Sequence, residues 1–355
     1  MRSVAFKRSI CLLVVLALLL AAAACGEKQS APLPTESSVL TDAQTGADTT
    51  ALEDAAAYVL RSVPTPQCGS VGGEWAVLGL ARGSCGNAAW FETYYDNLVA
   101  YVQAQDGVLH ARKYTEYARV VLALTAIGKD PRDVGGYDLL APLGDYDRVT
   151  FQGLNGAVFA LLALDAGSYA VPTAPAGQTQ ATREGYLDEI LAYQTPAGGF
   201  SLDADGGDAD VDITAMALCA LAPYIDDAGV ADAARAAFLW LSDAQGADGD
   251  FGSAESNAQA LIALAAYGIS PENAHFVKDG RSALDALLNY AVPGGGYRHA
   301  AADAEANPMA SEQALLALAA AARQRAGESG LYAMTNDAGM PHLNLDAADG
   351  ANEEQ

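Results

Sequence analysis

The chain has 355 residues, 51% of them hydrophobic, and carries 44 acidic against 19 basic residues for a net charge of −25. A surface this acidic repels phosphate backbones and anionic lipid headgroups, which excludes nucleic acid as a partner and leaves the protein surface itself without affinity for a bilayer. The apolar half is enough to fill the core of one large domain.

Residues 1–24 follow the plan of an export signal: Arg2, Lys7 and Arg8, an apolar run through Leu20, then Ala22, Ala23 and Ala24 before Cys25. The run is interrupted by Cys11 and ends on alanines, unlike a membrane-spanning helix. It resembles a lipoprotein signal, with Cys25 as the lipidated residue and Ala22 standing where Leu is commoner; an ordinary secretory signal cut near Cys25 is the other reading. Both place the remainder outside the cytoplasm. In the first, the lipid on Cys25 holds the chain to the extracytoplasmic face of the cell membrane. Residues 25–50, rich in Ser, Thr, Pro, Gln and acid, read as a flexible tether.

Residues 51–326 hold a recurring theme: an amphipathic helix, a glycine-rich turn with an aromatic, then a helix apolar nearly all round. The last three copies are clearest. They run from Tyr186 through Gly198-Gly-Phe200 into Asp210-Val-Asp-Ile-Thr, from Ala237 through Gly249-Asp-Phe251 into Glu255-Ser-Asn, and from Leu284 through Gly294-Gly-Gly-Tyr297 into Asn307-Pro-Met. Three looser copies precede them. Ala55 to Val63 leads into a helix at Trp75, Asn97 to Gln103 into Tyr114 to Leu124, and Tyr137 to Leu143 into Gln152 to Leu162. The predicted fold is therefore all-α, with six amphipathic outer helices and six apolar inner ones, and a closed ring buries both kinds. An open solenoid is the structural rival.

Cys68 and Cys85 bracket the first inner helix and could bond if the Gly72-Gly73 loop folds back along it, though spacing cannot establish the bridge. Cys219 reads as a small buried hydrophobe. Residues 327–355 turn polar again and read as a tail carrying no domain.

The turn from Gln194 to Phe200, followed by Asp-Val-Asp-Ile-Thr-Ala, resembles the repeat of squalene-hopene and oxidosqualene cyclases, protein prenyltransferase β-subunits and the cobalamin carriers intrinsic factor and transcobalamin. The resemblance spans about residues 52–325 and implies the α/α toroid, (α/α)6, but no single function. Lys113-Tyr-Thr-Glu-Tyr, Ile127-Gly-Lys-Asp-Pro, Phe151-Gln-Gly-Leu-Asn-Gly and Ser311-Glu-Gln-Ala are similar to segments of bacterial surface proteins built of prenyltransferase and squalene-oxidase repeats.

Parallel inner helices bring their N-termini, with free N–H groups and positive dipole ends, to one mouth. The candidate ligand-binding residues there are Trp75, Tyr114, Glu116, Tyr117, Asp147, Gln152, Asn155, Asp210, Asp212, Glu255, Asn257, Gln259, Asn307 and Glu312, an acidic cup with aromatic walls in which Glu74 and Gln313 also fall. Acids in a first helical turn also serve simply as caps. Asp212 sits where the cyclases' Asp-x-Asp-Asp-Thr motif has its proton donor, but Ile213 replaces the last Asp.

The zinc and diphosphate chemistry of the prenyltransferases lacks its Cys and His ligands here, and Asp203 to Asp210 and Asp248 to Asp250 read as solvated acidic turns rather than calcium loops. No metal or cofactor is implied. The expected function is non-catalytic binding of a small ligand or a surface protein, with a corrinoid as the sharper version suggested by the cobalamin carriers. A terpene cyclase-like enzyme using Asp212 as general acid and a purely structural envelope module are the alternatives.

Overall fold

The computed structural model describes residues 42–335 and 340–346, the first seven as backbone only, and all of them belong to one compact unit that begins at Leu40. The expected export signal, Cys25 and most of the expected tether lie outside the described residues. In chain order the helices are α1 (Asp42–Ser62), α2 (Trp75–Arg82), α3 (Ala88–Ala104), α4 (Thr115–Ala126), α5 (Tyr146–Thr150) and α6 (Leu154–Ala166). They continue as α7 (Arg183–Leu191), α8 (Val211–Leu221), α9 (Ala228–Ala244), α10 (Ala254–Ala266), α11 (Ala283–Leu288) and α12 (Pro308–Arg325). The described residues are otherwise loop, a π-helical turn at Ser70–Glu74, short turns of 3-10 helix and one small hairpin, β1 (Val277–Lys278) with β2 (Arg281–Ser282). The fold is all-α.

The even-numbered helices from α2 to α12 are the apolar ones: in α6 nearly every residue from Leu154 to Ala166 is buried, and in α12 every residue from Ala310 to Ala321. Helices apolar on all sides must be surrounded by other helices. That is the arrangement found, with α2 packed on α4, α4 on α6, α6 on α8, α8 on α10, α10 on α12, and α12 back on α2. The amphipathic helices cover this set, α1 lying on α12, α7 on α6, α9 on α8 and α11 on α10.

Bonds between neighbouring apolar helices join like ends. Near the starts, the Gly72 N–H, just before α2, donates to Glu312 of α12 at 2.8 Å, and the Thr115 N–H of α4 donates to Gln152, before α6, at 3.1 Å. At the finishing ends, the Tyr224 hydroxyl beyond α8 donates to Asp165 of α6 at 2.7 Å.

The glycine-rich turns are docked by one repeated device. The side chain of an inner helix's first turns binds the N–H of the turn aromatic: Thr214 takes that of Phe200 at 2.8 Å, Ser311 that of Tyr297 at 2.9 Å and Asn257 that of Phe251 at 3.3 Å. Turn glycines then abut the next outer element. A Cβ on Gly198 (φ +102°) would stand 2.7 Å from the Ala236 carbonyl of α9, and one on Gly295 (φ +88°) would stand 2.3 Å from the Asp54 carbonyl of α1. Glycine is required at both for its conformation and for that approach. The sixth turn thus meets the first helix as the fourth turn meets α9.

Four expectations change. The third outer helix, expected over 137–143, is a 3-10 turn, Ala141–Gly144, followed by the short α5, because Pro142 and Gly144 do not sustain a helix and Asp145 starts a new one by capping the Arg148 N–H at 3.2 Å. Helix α1 begins at Asp42, inside the expected tether. No Cys68–Cys85 bridge forms: both thiols are free, and that of Cys85 turns back to donate to the Gly83 carbonyl at 3.1 Å.

The fourth concerns the tail, whose residues 327–335 and 340–342 lie at the C-terminal ends of the inner helices, while Asn344 meets Arg235 of α9 and Asp346 meets His275. Leu331 and Leu345 are buried, and Arg82 donates to the carbonyls of Leu331, Gly330 and Ala333 at 2.8–2.9 Å. Arg323 adds the Ser329 carbonyl at 2.9 Å, so two guanidinium groups hold backbone that composition alone marks as loose.

Candidate functional site

Several residues expected to face a ligand are committed to the scaffold. Asp210 caps α8 through the Ile213 N–H at 3.1 Å, and Asn307 caps α12 through the Ala310 N–H at 3.1 Å. Asn257, fully buried, fixes its turn through Phe251, Asp250 and the Ser253 carbonyl, the role that Thr214 and Ser311 fill elsewhere. Gln152 takes the Thr115 N–H and returns a bond to its hydroxyl, tying α4 to the start of α6. Tyr117 is buried, with its hydroxyl accepting from the Leu109 N–H at 3.1 Å and its ring 5.4 Å from that of Tyr114. Asp147 is on α5 rather than an inner helix, is exposed, and accepts from the Thr179 hydroxyl at 2.7 Å.

What remains at the N-terminal ends is a set of buried polar atoms with no hydrogen-bond partner among the described residues: Glu74 Oε2, Arg119 Nε, Asn155 Oδ1, Asp212 Oδ1 and Glu312 Oε2. They come from the starts of five different inner helices. Glu74, 1% exposed, accepts from the Gly69 N–H at 2.9 Å and the Tyr94 hydroxyl at 3.0 Å, while its other oxygen lies 3.8 Å from Arg119 Nε. Arg119 also pairs with Glu116 and stands 5.9 Å from the ring centroid of Trp75, which packs on Phe159. Gln259 donates to Gln313, joining α10 to α12 beneath the acids.

Burial shifts these acids upward. The Glu312 carboxyl is raised from 4.5 to about 7 by burial, with the Gly72 N–H opposing and the nearby Glu74 adding to the rise. Glu74 is itself raised by burial, partly offset by the Gly69 N–H and Arg119. Asp212 is raised by burial, against the Ser256 hydroxyl and His299 and with Asp210 and Glu255 reinforcing. Glu255 meets His299 Nδ1 at 2.9 Å, which raises the imidazole pKa. Cys68 lies beside Glu74, its thiol driven well up by burial and then by that acid, so it is no ready nucleophile.

Sequence patterning points to Glu74 but not to its partners, Tyr94 from α3 and Arg119 from the second turn of α4. Both read as ordinary helix residues, and only the closed contacts of the inner helices make them neighbours.

The opposite end differs. The larger of the two described cavities, about 1000 Å³, lies there between the finishing ends of α6, α8 and α10 and residues 330–333, 335 and 340–342. A smaller one of about 390 Å³ borders Glu312, Gly72 and Tyr58 near the starting ends. Among the described residues no group of three or more His, Cys, Asp or Glu is placed to hold a metal ion, and no helix is long and apolar enough to cross a membrane.

A scan against protein-family models finds no match for this chain, and a search of curated proteins finds no similar sequence.

Proposed function

We propose that this chain is a lipoprotein anchored through Cys25 on the outer side of the cell membrane, built as an (α/α)6 toroid, and that it binds a small donor-rich ligand at the N-terminal mouth of its inner helices without transforming it. The observation carrying the binding site is the group of buried oxygens, Asn155 Oδ1, Asp212 Oδ1 and Glu312 Oε2, that find no donor among the described residues. Buried acceptors left without partners cost about 1–3 kcal/mol each, and a ligand offering N–H or O–H groups recovers that cost on binding. A corrinoid, with amides around its rim, is the first candidate of that kind.

Native mass spectrometry of the full chain taken from its host's envelope tests the reading. A retained small molecule, lost in the Glu312→Gln and Asp212→Asn variants, supports it. An empty chain whose melting does not move with corrinoids or polyamines points instead to a scaffold or a surface-protein partner. Incorporation of radiolabelled palmitate, abolished by Cys25→Ala, tests the anchor. The toroid is supported by the return of α12 onto α2 and of the sixth turn onto α1.

One observation favours an alternative. Asp212 is held toward its neutral form by burial, as the general acid of a cyclase must be. Turnover of a linear polyprenoid that stops in Asp212→Asn would establish that chemistry.

A further inference from the structure

The cavity at the finishing ends of the inner helices belongs to no residue of the proposed mouth. Its floor is apolar, made by Leu162 of α6, Cys219 of α8 and Ala266 of α10, and Leu331, Tyr332 and Met340 stand on its outer wall. About 1000 Å³ is at the upper end of the volumes that small-molecule sites occupy.

Four polar groups on its rim, Arg183, Asp165, Tyr169 and Tyr224, are already hydrogen-bonded. Arg183 bonds Asp165 through Nε at 2.8 Å and, through one terminal nitrogen, the carbonyls of Tyr169 at 2.7 Å and Leu164 at 3.3 Å. The second oxygen of Asp165 takes the Tyr224 hydroxyl at 2.7 Å, and the Tyr169 hydroxyl pairs with that of Thr125 at 2.9 Å. Arg183 and Asp165 cancel in charge, which leaves Asp226, His342 and the negative ends of three helix dipoles as the local field. Among the described residues lining it there is no Lys, and its one Arg is paired with Asp165, so little attracts an anion. An uncharged apolar body meets aromatic faces and aliphatic floor without breaking any bond on the rim.

We infer that this cavity is a second binding site, separate from the N-terminal mouth, for an uncharged, largely apolar molecule of aromatic or polycyclic build. Three tyrosines, Tyr169, Tyr224 and Tyr332, line it.

Two dyes with the same ring systems test it on the full chain carrying Cys25→Ser. N-phenyl-1-naphthylamine is uncharged, and 8-anilino-1-naphthalenesulfonate adds one anionic group. The uncharged dye is expected to give saturable fluorescence at one molecule per chain, with the sulfonate at least about tenfold weaker. Cys219→Trp, which fills the floor, and Ala170→Trp, at the exposed rim, are each expected to weaken the uncharged dye at least about tenfold, while Glu312→Gln leaves it unchanged. If Cys219→Trp does not fold, Ala170→Trp decides. No saturable binding, equal binding of the sulfonate, or full binding in Ala170→Trp overturns the assignment.

Discussion

The two ends of the inner helices are built from the same repeat and behave as opposites. At the starting ends the helix dipoles favour ionised acids, yet burial prevails and Glu312 and Asp212 are pushed toward their neutral forms. At the finishing ends the dipoles favour cations, and there Arg82 and Arg323 are used to hold a returning segment by its carbonyls. One end keeps polar atoms in reserve and the other spends them. Position along a helix decides which charge is tolerated, but burial decides whether it stays charged.

The largest expected effect breaks the starting end. Gly295→Ala puts a methyl 2.3 Å from the Asp54 carbonyl at a left-handed φ and should cost about 4 kcal/mol in urea unfolding. Gly252→Ala, with φ +94° and nothing within 4 Å of its Cβ, isolates the conformational part and should cost only about 1 kcal/mol.

At the finishing end, Arg82→Ala strands three carbonyls and should cost about 3 kcal/mol, with faster amide exchange across 327–335 than anywhere in the inner helices. Equal exchange in both would erase the contrast between the ends.

Glu312→Gln sharpens the contrast with the opposite sign. A folded-state pKa raised from 4.5 to about 7 means the folded chain holds a proton that the unfolded chain has released. Stability is then complete below pH 4.5, falls as pH rises toward 7, and stays level above it, a loss of roughly 3 kcal/mol. Glutamine keeps an acceptor for the Gly72 N–H, so the variant should be about 2 kcal/mol more stable at pH 8 and nearly flat across that window. A variant no more stable at pH 8 would mean that Glu312 ionises freely.

Asp212→Asn is the smallest change, within about 1 kcal/mol, because Asp210 holds the α8 cap; Asp210→Ala should cost about 1 kcal/mol in the same assay.

The helix pairs from residue 185 onward were legible because the glycine-aromatic turns and the Asp, Ser and Asn caps are local signals. The third outer helix was not, since its apolar spacing hides the break made by Pro142 and Gly144. Nor was the returning tail: Leu331 and Leu345 are lone apolar residues in polar surroundings, and a carbonyl's need for Arg82 leaves no mark on composition. Among the site residues, Glu312 was placed near the mouth from its helix position alone. Asn257, expected at the mouth from the same kind of position, holds its turn aromatic as Thr214 and Ser311 do, a role that its place near a helix start does not reveal.

The contact of Gly295 with α1 also bears on how the chain folds. In an open stack of repeats, removing a terminal unit costs that unit alone and assembly can begin anywhere. Here α1 rests on α12 and α12 on α2, so the first helix made has no final partner until the last repeat has emerged. Contacts between residues this distant in sequence slow folding and make it cooperative. Deleting α12 should therefore expose α1 and α2 at the far end of the chain, and shortening the protein from either terminus should open the same seam.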